Sequence, residues 1–340
     1  MSDQASPDFP QIDEAHWRRL VEKVLDGAAI ETLTSRTPHG LSVKPLYRES
    51  DWPSASDPGG APGEAPFLRG ASAARDPFLP WDIRQVVSHE DPRRLNALAL
   101  EALTGGVSSL ELDVDAGMTA SAFRAALDEV DLSLAPVALA AGRTDQALAL
   151  AEAASASGGS GAALAFNLDP LGRRATQGQE VDGDLAETVA AVRDLQRAFP
   201  KATTLRVDAR VVHEAGGTEV HELAWLAACG AEYMRALMTA GADAAAAARS
   251  MLFTVSLGSD YLVEMAKLRA ARRIWTRIAE AFGARGTAAS MRLHGVTSRR
   301  MLSSRDAWVN ILRNTAACFA GGVGGADIVT VRTFTEPMGR

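Results

Sequence analysis

The sequence has few of the features that mark secreted or membrane proteins. Its only two cysteines, Cys229 and Cys318, lie far apart in apolar, helix-like stretches, which is typical of buried thiols in a reducing compartment. No window reaches the roughly 18 apolar residues of a spanning helix, and the N-terminus has no apolar signal core. We therefore expect a cytoplasmic protein that does not bind membranes.

Neither sign of charge dominates the chain. Its 35 basic and 42 acidic residues give a formal net charge of −7, and no basic cluster is long enough to follow a phosphate backbone. This distribution argues against nucleic acid as a partner. Because 47% of the 340 residues are hydrophobic, the chain can bury the core of one large domain or two ordinary ones.

Residues 1–80 differ in composition from the rest of the chain. An amphipathic helix is predicted over Glu14–Gly27, followed by an extended stretch and by a Pro/Gly-rich segment from Trp52 to Gly70. Such a segment builds no core of its own, so we predict an N-terminal arm that is either disordered or lies on another surface. Several apolar residues favour the second alternative: Leu41, Val43, Leu46, Tyr47 and Trp52.

From residue 81 to residue 340, short β-branched or apolar runs alternate with longer helical stretches. Eight such βα units predict the α/β fold class and a closed (β/α)8 TIM barrel, with an open doubly wound sheet as the alternative. Two of the predicted helices cover residues 184–199 and 261–283. The predicted strands are 82–87, 109–114, 135–141, 163–169, 204–210, 252–258, 290–296 and 327–333.

Polar residues follow several predicted strands, where a barrel places its site. One polar turn contains Ser88, His89, Glu90 and Asp91 and precedes a helix that begins at Pro92. This turn is best interpreted as a solvated helix cap, and the alternative is a catalytic nucleophile with its base. Two more acidic residues, Asp113 and Asp115, lie on one face of an extended chain. They are either turn formers or a carboxylate pair.

The stretch after the fifth strand and the end of the chain hold the remaining candidates. His213 and His221 are eight residues apart, which matches no usual zinc spacing, so we expect no metal site. His294 lies near the end of the seventh predicted strand. In the run 320–327 the glycines come before a predicted strand, which is the wrong order for a dinucleotide-binding or phosphate-binding loop. The run is therefore predicted to connect a helix to a strand. The end of the fifth predicted strand contains Asp208 and Arg210, and Glu214 follows it.

Five segments, in order, resemble the substrate-domain barrel of the methylmalonyl-CoA mutase family. They are ETLTSRTPHGLSVKPLYRESD in the arm, PWDIRQ on strand one, HEAGGTEVHELAWLAACGAEYMRAL after strand five, AKLRAARRIWTRIAEAFG on the long helix, and the stretch from VTSRRMLSSRDAWVN to IVTVRTFTE at the end. The resemblance implies an acyl-CoA barrel preceded by an arm that embraces a partner subunit. Members of this family rearrange acyl-CoA carbon skeletons with adenosylcobalamin held by a separate domain.

The departures from the family pattern are informative. Val86 stands where catalytic members carry a Tyr that stacks over the acyl group, and Val211 stands where they carry a His that binds the thioester carbonyl. Ser72, Ala74 and Leu79 replace a Tyr, a Thr and an Arg of CoA-binding members. The resemblance therefore implies no catalytic residue in this chain, and at most weak acyl-CoA binding.

The chain thus resembles the non-catalytic small subunit of heterodimeric mutases, whose partner is the catalytic large subunit. No segment of this sequence resembles the cobalamin domain, so we expect adenosylcobalamin on the partner and none on this chain. One alternative is an acyl-CoA mutase barrel that works with a separately encoded cobalamin subunit. Another is a barrel that uses Asp113, Asp208 or His213 for unrelated chemistry. The substrate-pocket candidates are Arg84, Gln85, Arg272 and His294, and Arg75 is a further cation that could assist CoA binding.

Overall fold

The computed structural model describes residues 12–52, 59–159, 161–178 and 184–339. The chain divides into two compact units, Met1–Pro58 and Gly59–Arg340. Residues 53–58 of the Pro/Gly-rich stretch lie outside the described residues. Among the helices that the structure describes, none is long and apolar enough to cross a membrane.

The first unit is small and held by local contacts. Helix α1 (Glu14–Leu25), capped by Asp13, is the helix predicted from the sequence, and it buries none of its residues. After a 3-10 turn, two two-residue strands, Ser35–Arg36 and Ser42–Val43, pair antiparallel. Apolar side chains of this unit remain exposed, namely Leu41, Val43, Leu46, Tyr47 and Trp52.

The second unit contains a closed barrel of eight parallel strands in sequential order, which confirms the predicted (β/α)8 class and excludes the open sheet. Most strands are buried along their whole length, because the barrel interior covers one face and helices cover the other. The barrel closes where β8 pairs with both β7 and β1. The strands are β1 (Asp82–Ser88), β2 (Ser109–Asp113), β3 (Val137–Leu139), β4 (Leu164–Leu168), β5 (Thr203–Asp208), β6 (Met251–Leu257), β7 (Leu293–Thr297) and β8 (Ile328–Thr330).

Ten helices in the described part of this unit surround the barrel. Several begin at an Asp or Thr whose side chain accepts from a backbone N–H of the first turn, as at Asp91, Asp169 and Asp260. The helices are α2 (Pro92–Thr104), α3 (Ala120–Ala126), α4 (Thr144–Ala156), α5 (Pro170–Gln177), α6 (Asp184–Ala198), α7 (Arg210–Glu214), α8 (Glu219–Thr239), α9 (Ala244–Arg249), α10 (Tyr261–Ala281) and α11 (Val309–Gly324).

A backbone contact beside β3 and β4 requires glycine. Gly142 forms a bridge with Leu168, and a Cβ at Gly142 would lie 2.0 Å from the carbonyl oxygen of Phe166. That oxygen belongs to a buried strand and cannot move away, so only glycine allows the two backbones to approach so closely.

The Gly-rich run 320–327, predicted from the sequence to connect a helix to a strand, is mostly helical in the structure. Residues up to Gly324 belong to α11, and only Gly325, with a φ of 96°, ends the helix. A Cβ at Gly321 would lie 2.6 Å from Leu257, and one at Gly322 would lie 2.8 Å from the ring of Trp81. These glycines therefore bring α11 close to the barrel, and the predicted helix-to-strand connection begins only at Gly325.

The segment before β1 packs onto the barrel unit. Phe67 and Leu68 are buried, and the hydroxyl of Thr276 on α10 donates to the carbonyl of Pro66 at 3.1 Å. The guanidinium of Arg75 donates to the carbonyls of Pro80 and Ala326 at 2.8 and 3.1 Å. The side chain of Arg75 thus fastens this segment to the amino-terminal end of the barrel.

Candidate functional site

The inner face of β1 and β2 carries polar and charged side chains. Leu110 and Leu112 lie in the apolar layer between strands and helices, so the alternating residues Ser109 and Glu111 face the interior of the barrel. Arg84, the register partner of Ser109, donates from Nε to its hydroxyl at 3.0 Å. Arg84 is therefore an interior residue, as a substrate-pocket candidate must be.

Two further charged residues meet across the interior. Glu111 on β2 and Arg206 on β5 approach to 3.5 Å between Oε1 and Nη1, although β3 and β4 separate their strands. Both residues are buried, with 2% and 7% of their surface exposed. Their side chains therefore extend through the barrel and occupy its centre.

Asp208 at the end of β5 is held by arginines. Arg210 donates to it from Nε at 2.9 Å and from Nη2 at 2.6 Å, and Arg206 Nε lies 3.4 Å away. Burial alone would raise the pKa of this carboxyl, but Arg210 and Arg206 hold the pKa well below its ordinary value. Asp208 is thus a permanently charged structural group and a poor proton acceptor.

His294 on β7 is completely buried beside this cluster. Its Nε2 lies 2.8 Å from the hydroxyl of Thr330, the residue paired with Arg84. Burial, followed by the charges of Arg84, Arg210 and Arg206, lowers the pKa of His294 well below its ordinary value. The imidazole is therefore neutral at physiological pH.

Val86 and Val211, the positions that the sequence resemblance assigns to catalysis in other members, lie at the carboxyl-terminal mouth of the barrel. Val86 shares the inner face of β1 with Arg84 and is 44% exposed. Val211 lies half-buried in α7, the short helix that follows β5. Neither side chain has a polar atom or an aromatic ring, so neither can stack on an acyl group or donate to a carbonyl.

A second polar network lies behind the same mouth. The Nδ1 of His213 lies 3.2 Å from Glu222 Oε1, and its Nε2 lies 2.6 Å from the hydroxyl of Ser298. Lys267 donates to Glu222 at 2.9 Å and to the carbonyl of Ser256 at 2.7 Å. These buried contacts join α7, α8, α10 and the loop after β7, which fixes the loops that form this end of the barrel.

Although burial opposes it, contact with His213 and Lys267 keeps the pKa of Glu222 below its ordinary value. The hydroxyl of Ser298 also accepts from the backbone N–H of Arg300 as a helix cap, and only 2% of Ser298 is exposed. The network therefore resembles a Ser-His-Glu relay in connectivity but presents no accessible nucleophile.

The remaining polar candidates either cap helices or are exposed. Asp91 caps α2, and the Nδ1 of His89 accepts from the N–H of Asp91, which confirms the cap interpretation for this turn. His221 caps α8 with Thr218 and is separate from the contacts of His213. Three carboxylates, Asp113, Asp115 and Glu214, are exposed, and the described residues contain no group of three or more His, Cys, Asp or Glu that could hold a metal.

The structure does not bring the four substrate-pocket candidates together. Arg84 and His294 share the interior, whereas Gln85 is the register partner of Leu110 and lies exposed on the outer face of β1. Arg272 on α10 donates to the carbonyls of Met291 and Gly325 and to Asp327, all just before β7 and β8. Arg272 thus stabilises the amino-terminal end of the barrel.

Sequence reasoning missed the charged residues that fill the interior, Glu111 and Arg206. The signal was a charged residue between two apolar residues in a buried strand, as in the strands SLELD and TTLRVD. It also missed Glu222 and Lys267, each buried within a long helix. A charge in a buried element requires a partner, but the sequence does not say which one.

Comparison with known proteins identifies the family. The family model described as methylmalonyl-CoA mutase matches residues 36–122 and 118–340. This chain belongs to the methylmalonyl-CoA mutase family. It is 39% identical to the methylmalonyl-CoA mutase small subunit of Streptomyces virginiae, over 98% of this chain and 55% of that protein.

The methylmalonyl-CoA mutase small subunit of Propionibacterium freudenreichii subsp. shermanii is 35% identical, over 98% of this chain and 54% of that protein. The predicted family resemblance is thereby confirmed. The chain spans about half the length of the curated mutase relatives it matches.

Proposed function

We propose that this chain is the non-catalytic small subunit of a heterodimeric, adenosylcobalamin-dependent methylmalonyl-CoA mutase. In this proposal the large subunit interconverts methylmalonyl-CoA and succinyl-CoA, and this chain stabilises it. The proposal includes a cytoplasmic location, in keeping with the unpaired thiols of Cys229 and Cys318.

The observation that carries the proposal is the contact of Glu111 with Arg206 through the centre of the barrel. A CoA tail threaded along the barrel axis would have to displace both side chains. Displacement would separate a buried ion pair and leave each charge without its partner, which costs several kcal/mol. The filled interior therefore supports weak or absent acyl-CoA binding.

The residues at the mouth support the same conclusion. A mutase barrel needs groups there that bind the thioester and orient the acyl chain, yet Val86 and Val211 occupy these positions. His294, the remaining match to a substrate-side residue, bonds to Thr330 and is completely buried. This arrangement speaks against the alternative of a mutase barrel that is active with a separate cobalamin subunit.

The four histidines of the barrel unit do not fit cobalamin ligation. In the barrel unit His213 and His294 are buried and engaged by Glu222, Ser298 and Thr330. His89 accepts from a backbone N–H, and His221 caps a helix. We therefore assign the cofactor to the large subunit and derive no step through it on this chain.

An apolar face on α11 and β8 supports a role as a subunit. It includes a groove of about 570 Å³ lined by Trp81, Ile311, Cys318, Phe319, Val331 and Phe334 among others. Beside it the side chains of Trp308 and Leu312 are 72% and 71% exposed. Exposed apolar patches of this kind mark protein–protein contacts. Since the relatives are named subunits, we assign the large subunit as the occupant of this face.

The function is tested with the purified chain and its large subunit. We expect the chain alone to show no spectral change with adenosylcobalamin and no turnover of methylmalonyl-CoA, and the two subunits together to show both. Saturable cofactor binding with isomerisation by the chain alone would contradict the proposal.

The interface assignment has a matched pair of variants. Leu312→Asp introduces a charge into the apolar face, whereas Leu134→Asp changes a leucine that is 78% exposed before β3. We expect the first variant to weaken binding to the large subunit by at least about tenfold and the second to leave it unchanged, because a charge without a partner is costly in an apolar contact. Equal affinities by calorimetry would place the interface elsewhere.

A further inference from the structure

The ring of helices around the barrel has an opening between α11 and α2. In a (β/α)8 barrel each strand is followed by a helix that covers the outside of the strands. At least one helix follows each strand from β1 to β7, whereas β8 is followed, within the described residues, only by the 3-10 turn Glu336–Met338. The helices on either side of the β8–β1 pair are therefore α11, which precedes β8, and α2, which follows β1.

The floor of this opening is the outer face of β1 and β8. Ile83 and Gln85 alternate with the interior residue Arg84, so they face outward. Val331 likewise faces outward, because the hydroxyl of the preceding Thr330 contacts His294 in the interior. The three outward side chains, Ile83, Gln85 and Val331, are exposed. Since parallel barrel strands are normally buried on both faces, this part of the outer face lacks its usual cover in the described structure.

One wall of the opening is a flank of α11. Gly321 packs against Leu257 of β6, and Gly324 packs against α10. The flank that faces the opening carries Ile311, Thr315 and Cys318, which line the groove described above. Their spacing of four and three residues aligns them along one side of α11, which is the pattern by which one helix packs against another.

The other wall is a flank of α2. Leu95 and Ala99 are buried in the core, and the amide of Asn96 donates to the carbonyl of Ala126 at the end of α3. Leu98 follows Asn96 by two residues, or about 200° around the helix, so it lies on the flank opposite α3. Leu98 is exposed and points toward the opening.

We propose that an amphipathic helix of the large subunit lies in this opening, between α11 and α2, and completes the ring of helices around the barrel. The inference rests on the proposed function and adds which kind of element the partner contributes and where it binds. The helix presents apolar residues to the floor and to both walls, so these residues recur at every third or fourth position.

The apolar surface continues beyond the opening, which favours a helix that belongs to a larger body. Four apolar residues on the outward side of α11 are exposed: Trp308, Leu312, Phe319 and Val323. A single helix in the opening contacts the flank of α11 and leaves this outward side in water. A large subunit that carries the helix covers both at once, and contiguous apolar patches of this kind mark protein–protein contacts.

Cys318 reports on the opening in the unaltered protein, because it lines the groove and the second thiol, Cys229, is buried in α8. Labelling with N-ethylmaleimide, followed by mass spectrometry, measures both thiols in one sample. In the isolated chain we expect Cys318 to react at least about tenfold faster than Cys229, since reactivity depends on exposure. Binding of the large subunit is expected to slow the labelling of Cys318 by at least about tenfold for the same reason.

Size-exclusion chromatography with light scattering measures complex formation in the same samples. If the complex forms while Cys318 keeps its reactivity, the large subunit binds elsewhere, which overturns this inference and leaves the proposed function intact. If no complex forms, the proposed function fails, and the inference fails with it. Slow labelling of Cys318 in the isolated chain would also overturn the inference, because the opening would then be filled without the large subunit.

The wall on α2 distinguishes a helix within the opening from a partner that lies on α11 alone. Leu98→Glu introduces a charge into this wall, and Leu148→Glu makes the same change at an exposed leucine of α4. We expect Leu98→Glu to weaken binding to the large subunit by at least about tenfold and Leu148→Glu to leave it unchanged, because a buried charge without a partner is costly. Equal affinities by calorimetry would show that the partner does not reach α2, which overturns the inference.

Discussion

Glu111 on β2 and Arg206 on β5 approach each other to 3.5 Å across the interior of the barrel. Since the two strands are not neighbours, the contact places charged side chains across the barrel, and under the proposed function an acyl-CoA tail would have to displace them. We therefore expect isothermal titration calorimetry with propionyl-CoA to show no binding tighter than about millimolar. Low-micromolar affinity that disappears in Arg84→Ala would show that the interior still accepts CoA.

For the same pair we expect that removing one charge destabilises the protein more than removing both. Removing one partner, as in Arg206→Met, leaves Glu111 buried without its cation and is expected to lower the free energy of unfolding by about 3–5 kcal/mol. The double variant Glu111→Met with Arg206→Met replaces both charges with apolar groups and is expected to recover most of this loss. Urea unfolding of the three proteins measures both effects. Additive losses in the double variant would mean that the two side chains do not interact.

Asp169 predicts a pH dependence of stability. Burial, opposed by the hydrogen bond from Tyr233 and reinforced by the charge of Asp208, raises the pKa of this carboxyl to about 6. An unfolded Asp titrates near pH 4, so between about pH 4 and pH 6 the folded state keeps a proton that the unfolded state has lost. This group therefore makes the folded state less stable as pH rises through that range, by up to about 3 kcal/mol.

The variant Asp169→Asn removes the titration of this carboxyl. Its stability relative to the unaltered protein is expected to increase between pH 4 and pH 6 and to level off above that range. Asp243→Asn, which makes the same substitution at the exposed cap of α9, is the control. Chemical unfolding at several pH values supplies the measurement, and parallel curves for both variants would contradict the prediction.

From the close backbone approach at Gly142 we expect that any side chain at this position lowers the free energy of unfolding. In Gly142→Ala the new Cβ would lie 2.0 Å from a backbone oxygen of β4, so the strands must separate, and we expect a loss of about 3 kcal/mol or more. Gly161→Ala is the matched change, because no atom lies within 4 Å of the Cβ position there. Its effect should stay within about 0.5 kcal/mol. Similar melting temperatures for the two variants would argue against the close approach.

The eight strands could be predicted because parallel barrel strands are buried on both faces and appear as short apolar runs. Their bounds were less accurate. The run 135–141 pairs only over Val137–Leu139, and 327–333 only over Ile328–Thr330. Apolar composition continues beyond the last ladder bond, so it does not mark where pairing stops.

The Gly-rich run and the charged interior could not be predicted for a different reason. A helical glycine costs about 1 kcal/mol relative to alanine, so local preference argued against a helix through Gly321 and Gly322. Tertiary packing against Leu257 and Trp81 outweighs that preference. Likewise Glu111 and Arg206 are far apart in sequence, and only the closed barrel brings them together.

The pairing of β8 with β1 joins the two ends of the barrel segment, with Ile328 beside Asp82. Every other strand pair in the barrel forms between neighbours in sequence, whereas this pair closes a loop that contains the other six strands. The ring therefore cannot close during synthesis until Ile328–Thr330 have left the ribosome. Until then β1 and β7 each present an open edge, and a nascent chain is most prone to pair with other chains at those two edges.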